Sequence, residues 1–372
     1  MENIKKKVLF ASRDLSVGGM EKALVTLLNH FDFLRYDVTL VLEKKQGALL
    51  SEVDPRVKIT EYRVSDLDFV PLRKAINLLR RLIFKISHGG KYDFSCCFAT
   101  YSTPCEKAAK IASPQNCLLY VHSDYFEMYK KDPHKTRAFF DSIGISEYKK
   151  IAFVSKEARD NAAALYGENT AGKFVTLGNL IDSERIKKLA EEKPDCDLSH
   201  DKKAFIFVGR LDDTSKKLCR LLDAAKITIE KNLSFEVWIV GDGPDGQMYR
   251  EYAKECGIGS HISFFGEKKN PYPYIKSADC LIITSDYEGF PVVFTEAALL
   301  GKEIITTVTA SDGFMTFDTN TVRVADKTPE SVAEAMEDFI CGEARKADNA
   351  GVFDPDVINS EKMKKLYNLM DV

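Results

Sequence analysis

Several residue patterns are missing from this 372-residue chain, and each absence excludes a class of protein. No apolar run is long enough to span a bilayer, and the one after the basic start MENIKKK is too short for a signal peptide. The nine cysteines are odd in number and scattered, so we predict neither a disulfide framework nor a zinc site. We therefore expect a soluble, unprocessed, cytoplasmic protein with reduced thiols.

An excess of charge of one sign is also absent. The chain has 53 basic and 56 acidic residues, a formal net charge of -3. This balance gives no general attraction to nucleic acid or to anionic lipid. We expect no nucleic-acid partner, and any contact with a membrane must be local.

Hydrophobic residues, by contrast, make up 45% of the sequence, enough for more than one core. Short β-rich apolar runs alternate with segments of helical period, which predicts an α/β fold with parallel sheets covered by helices. A charged stretch from 182 to 203 is typical of a domain linker. We predict two Rossmann-like doubly wound domains, 1–183 and 184–355, that face each other across a ligand-binding cleft, and a helix in 356–372 that packs back on the first domain.

A glycine pair follows the first predicted strand, in the segment SRDLSVGGME. The next residues have apolar positions at helical spacing, so Gly18 and Gly19 are predicted to open a helix. Without side chains they let backbone amides approach an anionic ligand at the helix N-terminus. A tight turn with no ligand explains the same pattern.

Two cations follow the first strand of the second domain, in FIFVGRLDDTSKK. Arg210 lies just past the strand and Lys216 at the start of the next helix. Both are expected at the carboxyl end of the sheet, where they would offset the charge of a diphosphate leaving group without a metal ion. Lys217 competes with Lys216 for this role, and a solvated charged loop is the alternative.

The segment DYEGFPVVFTEAALLG carries a pair of glutamates eight residues apart, Glu288 and Glu296. Glu288 is predicted to end a strand, and Pro291 suits the first turn of the helix that contains Glu296. The two carboxylates can accept hydrogen bonds from separate sets of sugar hydroxyls. The amides of Gly289, Phe290, Pro291 and Val292 form the turn, and those that carry a hydrogen are expected to face the phosphates.

Residues 241–246, GDGPDG, match the glycine spacing of dinucleotide-binding proteins. In that fold, however, the phosphate-binding turn follows the first strand of its domain, whereas here a strand and a helix come earlier. We therefore expect no NAD site. Gly241 is predicted to let the loop pass near the nucleotide, or simply to turn the chain.

Taken together, these motifs resemble the retaining family-4 glycosyltransferases of the GT-B fold, the glycosyl transferases group 1, over nearly the whole chain. The matching segments are VGGMEKAL, YVHS, FVSKEARDN, NLID, GRLDDTSKK, IVGDGP and ADCLIITSDYEGFP, with the glutamate pair. The resemblance implies a transferase that takes a sugar from a nucleotide-sugar donor and needs neither cofactor nor metal.

The resemblance also implies roles for individual residues. It places the backbone at Gly19 near the donor diphosphate, which Arg210 and Lys216 hold. Glu288 would contact hydroxyls of the donor sugar and Glu296 the ribose.

His122 matches the family histidine near the transferred sugar, although a purely structural histidine also fits its position after a strand. The family is thought to react by front-face attack, in which the leaving phosphate accepts the acceptor's proton. No protein nucleophile is then needed, and the sequence shows no Ser-His-Asp or Cys-His spacing signature.

The sequence departs from the family at three places. Lys217 stands where a glycine is common, and Leu180 where a proline is common. The segment after Thr307 lacks the usual Gly-Gly and Glu pattern, which leaves open which residues near 311–314 approach the donor.

The sequence contains fewer motifs that indicate the acceptor than motifs that indicate the donor. Residues 72–86 have one apolar helical face, while the other positions are rich in arginine and lysine. This pattern fits peripheral contact with the inner face of a membrane, or equally a helix packed on the core with a solvated basic face. The aromatic and polar stretch 122–135 is typical of an acceptor loop.

The sequence thus predicts transfer from a nucleotide-sugar, with UDP as the expected nucleotide, to a glycan or lipid-linked acceptor in bacterial surface polysaccharide assembly. Two alternatives remain: a nucleotide-sugar epimerase on the same fold, and a non-catalytic glycosyltransferase-like partner subunit. The second would be expected to lose the cations or the glutamates, and both are present.

Overall fold

A computed structural model describes residues 4–16, 18–65, 67–198, 201–288, 292–307, 326–342 and 354–371, and the backbone of 321–323. The chain divides into two compact units, Met1–Leu180 with Asp356–Val372 (unit 1) and Ile181–Pro355 (unit 2).

Unit 1 contains a seven-stranded parallel sheet with the strand order β3-β2-β1-β4-β5-β6-β7. The inner strands are mostly apolar and buried, because helices cover both faces of such a sheet, whereas the edge strands β3 and β7 are partly exposed. The order reverses between β1 and β4, which is where ligands bind in open α/β sheets. The strands are β1 Lys6–Ser12, β2 Tyr36–Leu42, β3 Lys58–Glu61, β4 Phe94–Cys97, β5 Cys117–Val121, β6 Lys150–Phe153 and β7 Phe174–Thr176.

Helices connect these strands as the alternating sequence pattern predicts. They are α1 Gly19–Asn29, α2 Val70–His88, α3 Thr103–Ala112, α4 Tyr125–Met128, α5 Pro133–Ser142, α6 Lys156–Ala163 and α7 Glu168–Ala171, with 3₁₀ turns at Ala48–Glu52 and Ile145–Glu147.

Unit 2 contains a parallel sheet whose described strands have the order β10-β9-β8-β11-β12-β13, which reverses between β8 and β11. The strands are β8 Lys203–Val208, β9 Phe235–Val240, β10 Ile262–Gly266, β11 Cys280–Ile283, β12 Glu303–Thr306 and β13 Thr321–Arg323. The helices are α8 Ser183–Ala190, α9 Leu218–Glu230, α10 Gly246–Glu255, α11 Tyr272–Ser277, α12 Val292–Leu299 and α13 Pro329–Cys341, with a 3₁₀ turn at Gly259–His261.

The last helix, α14 Pro355–Met370, belongs to unit 1 although it follows unit 2 in sequence. Its Tyr367 ring stacks on Tyr36 at a centroid distance of 4.9 Å, and its hydroxyl accepts a hydrogen bond of 2.9 Å from the amide of Asp32. Lys362 donates to the carbonyl of Asn179 at 2.6 Å. The helix therefore completes the core beside β2.

The linker interpretation of 182–203 is wrong for its first part. Asp182 caps α8 by accepting a hydrogen bond from the amide of Arg185, and Ile186 and Ala190 of that helix are buried. This helix belongs to unit 2, which begins at Ile181. A charged sequence concealed this helix because only one of its faces is apolar.

The core-packing alternative for residues 72–86 is also wrong. These residues lie in α2, where Phe84 is buried while Leu72, Leu79, Leu82, Ile83 and Ile86 are exposed. In the part of the chain that the structure describes, no helix is long and apolar enough to cross a membrane.

Candidate active site

The predicted donor-site residues of unit 2 gather where the strand order reverses. Arg210 follows β8 by two residues, and Glu288 follows β11 by five. Since β8 and β11 are adjacent parallel strands, their carboxyl ends meet at one edge of the sheet. The sequence analysis expected Arg210 at this edge, and the structure places it there. Glu288 does not end β11 as predicted, because the strand already stops at Ile283.

The structure brings Lys216 and Glu288 into direct contact. The Nζ of Lys216 lies 2.6 Å from Oε1 of Glu288, and the hydroxyl of Ser285 donates to the same oxygen at 2.6 Å. The Lys216 carbonyl accepts a hydrogen bond of 3.1 Å from the Thr284 hydroxyl. Both charged groups are thus fixed at the end of β11, and the ammonium keeps further N–H donors for a second anion.

Arg210 extends away from the sheet, and 69% of its side chain is exposed. Its guanidinium pairs with Asp212, which also accepts hydrogen bonds from the amide and hydroxyl of Thr214. Burial alone would raise the pKa of the Asp212 carboxyl, but the Thr214 hydrogen bonds and the charge of Arg210 bring that pKa below its usual range. Asp212 therefore stays ionised and holds an exposed cation.

The structure separates Lys216 from its competitor Lys217. The Nζ of Lys217 lies 3.7 Å from Asp213 and 3.9 Å from Asp286, so it faces other carboxylates. The Lys217 backbone has a φ of 51°, a left-handed conformation that favours glycine. The glycine that is common at this position in the family would therefore adopt the same backbone conformation without strain.

Sequence reasoning missed an ion pair that ties the helix after Lys216 to the end of β11. The Nη2 of Arg220 lies 2.6 Å from Oδ1 of Asp286, and its Nη1 donates to the carbonyl of Thr284. The amide of Asp286 donates to the carbonyl of Ser215 at 2.9 Å. These bonds fix the backbone on which both Lys216 and Glu288 stand.

Gly241 supports the Arg210 loop through backbone packing. A Cβ atom at Gly241 would lie 1.9 Å from the carbonyl oxygen of Gly209, and the residue has a φ of 144°. At Gly243 the added atom would lie 2.3 Å from the carbonyl oxygen of Leu211. Gly241 and Gly243 of the GDGPDG segment therefore let two backbone loops touch.

Glu296 is 4% exposed on α12 and has its own hydrogen-bond network. Its Oε1 accepts a hydrogen bond of 2.9 Å from the hydroxyl of Tyr272, and Arg185 lies 3.5 Å from that hydroxyl. Burial raises the pKa of Tyr272, and the Glu296 charge adds to this effect, so the hydroxyl remains a donor. Sequence reasoning missed Tyr272 and Arg185, because the contact of Tyr272 with Glu296 and that of Arg185 with Tyr272 arise only in the tertiary fold.

Of the turn between the two glutamates, Gly289, Phe290 and Pro291 lie outside the described residues, as do residues 311–314. Val292 is half-buried and begins α12.

In unit 1 the glycine pair opens a helix as predicted: Gly18 is the N-cap and Gly19 the first residue of α1. The N-cap is a glycine, so it has no side chain with which to cap this N-terminus. A Cβ atom at Gly18 would lie 2.3 Å from Oε2 of Glu21, whose carboxyl folds back over the first turn. Burial raises the pKa of Glu21.

His122 follows β5, and both of its ring nitrogens are buried without a hydrogen-bond partner among the described residues. Its ring stacks on Tyr120 at 4.7 Å and packs against Phe98 at 4.3 Å. Burial lowers the pKa of His122 to about 3, and a nearby backbone group of Phe98 offsets only part of this effect. The imidazole is therefore neutral near pH 7.

A metal-binding cluster is not found: within the described ranges, no group of three or more His, Cys, Asp or Glu side chains is arranged to hold a metal ion. Beyond the ends of β8 and β11, Arg210 pairs with Asp212 and Lys216 pairs with Glu288.

Residues 184–351 match the family described as glycosyl transferases group 1. Unit 2 is a group 1 glycosyltransferase domain. Arg210, Lys216, Glu288 and Glu296 all lie within the matched segment.

Two relatives and a solved structure show how far the likeness extends beyond this domain. An uncharacterized glycosyltransferase of Methanocaldococcus jannaschii is 21% identical over 262 residues, 70% of this chain and 57% of that protein. A lipopolysaccharide 1,6-galactosyltransferase of Salmonella typhimurium is 32% identical over 102 residues, 26% of this chain and 28% of that protein. The matches thus span less than two thirds of these relatives' own lengths.

The solved structure is Anabaena HepE in complex with UDP and glucose, with a TM-score of 0.73 at 16% identity over 97% of this chain and 99% of that one. At this identity the likeness shows the fold alone. The chain has the GT-B fold, with two Rossmann-like units, as the sequence analysis predicted.

Proposed function

We propose that the chain transfers a sugar from a UDP-sugar to a hydroxyl group of a glycan or lipid-linked acceptor, with retention of configuration, in bacterial surface polysaccharide assembly. The observation that carries the proposal is the fixed Lys216–Glu288 pair beside Arg210, at the edge where the strand order of unit 2 reverses. The named glycosyltransferase relatives and the UDP complex of HepE support the reaction class and the nucleotide.

In this proposal the diphosphate of the donor lies against Arg210 and Lys216. Negative charge grows on the leaving phosphate as the bond to the sugar breaks, and two fixed cations stabilise it without a metal ion. Lys216 also orients Glu288, whose second carboxylate oxygen can accept hydrogen bonds from sugar hydroxyls. Glu296, held by Tyr272, is the proposed ribose ligand.

The acceptor's hydroxyl oxygen bonds to the anomeric carbon on the face that the leaving phosphate vacates, and its proton passes to that phosphate. No protein nucleophile takes part. His122 is neutral, so it can contact the transferred sugar through a hydrogen bond but does not add a positive charge. Gly18 and Gly19, at the N-terminus of α1, offer backbone amides as further phosphate donors in unit 1.

We place the protein in the cytoplasm, peripherally bound to the inner face of the membrane through residues 72–86. The exposed apolar face of α2 supports this position.

The experiment is a donor panel of UDP-, GDP- and ADP-sugars in which thermal shift and release of nucleotide are measured together. We expect UDP-sugars alone to stabilise the protein and to be turned over. Arg210→Ala and Glu288→Ala should abolish transfer while the fold persists; full activity in either variant would overturn the assignment. Product analysis separates the epimerase alternative, which changes the sugar without releasing nucleotide.

A further inference from the structure

The exposed apolar side chains of this protein are concentrated in one segment. Of the fifteen large hydrophobic side chains that are exposed in the described part of the chain, nine lie between residues 67 and 86. They include Leu79 and Ile86, which are 59% and 76% exposed. A cluster of this kind on one helix marks an interaction surface.

The way α2 is held explains why this face points outward. Phe84 is buried and packs edge-on against Tyr62 at a ring distance of 4.8 Å, and Asn77 accepts a hydrogen bond of 2.7 Å from the amide of Ser65. Phe84 and Asn77 lie seven residues apart and so share one side of the helix. Leu72, Leu79 and Ile86, also spaced by seven, occupy the opposite side.

Unpaired positive charge flanks the exposed face. The helix contains five lysines and arginines and no acidic residue. Among the described residues none of the five side chains makes an ion pair or a side-chain hydrogen bond; they are Arg73, Lys74, Arg80, Arg81 and Lys85. An apolar stripe between cations is the pattern of helices that lie in the plane of a bilayer interface.

A groove beside the helix provides a place for an anionic group. It has a volume of about 460 Å³ and lies between α2 and the end of α3. Leu78 and Leu82 form its apolar wall, and Arg81 and Lys85 lie at its cationic rim. Lys110 also lines the groove, but Glu106 and Glu147 already pair with it at 2.7 Å each.

We propose that α2 inserts its apolar face into an anionic lipid surface and that the groove receives the phosphate of a lipid headgroup. The inference deepens the proposed function, on which it rests, because it identifies how unit 1 reaches a membrane-bound acceptor. Charge favours this occupant over a second copy of the chain, since two copies meeting on this face would bring five cations against five. Arg81 and Lys85 bind the phosphate, while Leu79, Ile83 and Ile86 contact acyl chains.

The test is cosedimentation of the full chain with vesicles of phosphatidylcholine alone and of equal parts phosphatidylcholine and phosphatidylglycerol. We expect binding to the anionic vesicles only, weakened by salt. Arg81→Ala/Lys85→Ala should reduce affinity by roughly 30-fold, because about 1 kcal/mol per cation corresponds to a factor of about five each. Leu79→Gln/Ile86→Gln should reduce it by about tenfold or more.

Matched controls remove the same groups elsewhere. Lys226→Ala/Lys254→Ala removes two exposed lysines from helices of unit 2, and Leu34→Gln removes an apolar side chain that is 82% exposed. These variants should bind like the parent protein. Equal binding to both vesicle types, unchanged binding of the α2 variants, or a dimer in solution that α2 variants dissociate would overturn the inference.

The panel of nucleotide-sugar donors distinguishes failure of the membrane inference from failure of the proposed function. Release of nucleotide in the absence of vesicles, together with failure to bind anionic vesicles, would refute the membrane inference alone. Vesicle binding without turnover of any nucleotide-sugar would refute the proposed function alone.

Discussion

Lys216 and Glu288, 72 residues apart in sequence, form a 2.6 Å ion pair at the edge of the second sheet. The pair joins the start of α9 to the turn after β11. Each partner restricts the rotamers of the other, so cation and carboxylate are positioned before a donor binds.

Lys216→Ala should reduce kcat/KM by about 100-fold or more, because it removes a cation from the leaving group and frees Glu288 to move. The adjacent Lys217 serves as the control, since its ammonium faces Asp213 and Asp286. Lys217→Gly should keep the activity and raise stability by about 1 kcal/mol, because glycine relieves the left-handed backbone. Equal losses of activity in the two variants would contradict the assignment.

Gly241→Ala should destabilise unit 2 by about 3 kcal/mol, because the new methyl group meets the carbonyl of Gly209. The Arg210 loop moves with that carbonyl, so donor affinity should fall too. Gly257→Ala is the control: this glycine also has a positive φ, but no atom lies within 4 Å of the added carbon. It should cost only about 1 kcal/mol and leave turnover intact. Urea unfolding and donor titration measure both effects.

Tyr272→Phe removes the hydroxyl that donates to the buried carboxylate of Glu296. We expect a loss of about 1–3 kcal/mol in stability, because the carboxylate loses a buried partner, and a rise in donor KM larger than the fall in kcat. Tyr166→Phe removes a hydroxyl that bonds to Asp141 near the surface of unit 1 and should change neither kinetic constant. A loss confined to kcat would argue against a binding role for Glu296.

His122 should make unit 1 sensitive to acid. Its pKa is about 3 when folded against an ordinary value near 6.5, so the unfolded chain binds a proton that the folded chain does not. Stability is therefore full above about pH 6.5 and falls as the pH drops toward 3, by up to about 1.4 kcal/mol per pH unit. Denaturation of the parent and of His122→Phe at about pH 5 and about pH 7 tests this. The variant should lose less stability at the lower pH; identical losses would show that His122 titrates normally.

The positions of the strands and of the donor-site motifs could be predicted because both depend on local pattern. Buried parallel strands are continuous apolar runs, and the residues that follow them must lie at one edge of the sheet. Cys280–Ile283 and the placement of Arg210 and Glu288 were found in this way.

The partners of these residues could not be predicted, because they come from distant segments. Arg220 and Asp286 are 66 residues apart, and Tyr272 reaches Glu296 from another helix. The periodicity of apolar residues also cannot show which side of a helix packs against the rest of the protein. The apolar side of α2 is the larger one, yet the helix is held through Phe84 and Asn77 on the other.

The late position of α14 in the chain has a consequence for biosynthesis. Tyr36 of β2 receives its stacking partner Tyr367 only after all of unit 2 has been translated. During synthesis unit 2 can therefore complete its core first, while in the earlier-made unit 1 the rings of Phe31 and Tyr36 still lack their partner Tyr367. A nascent chain stalled before residue 355 should recruit holdase chaperones through these uncovered aromatic side chains, and release of α14 should displace them.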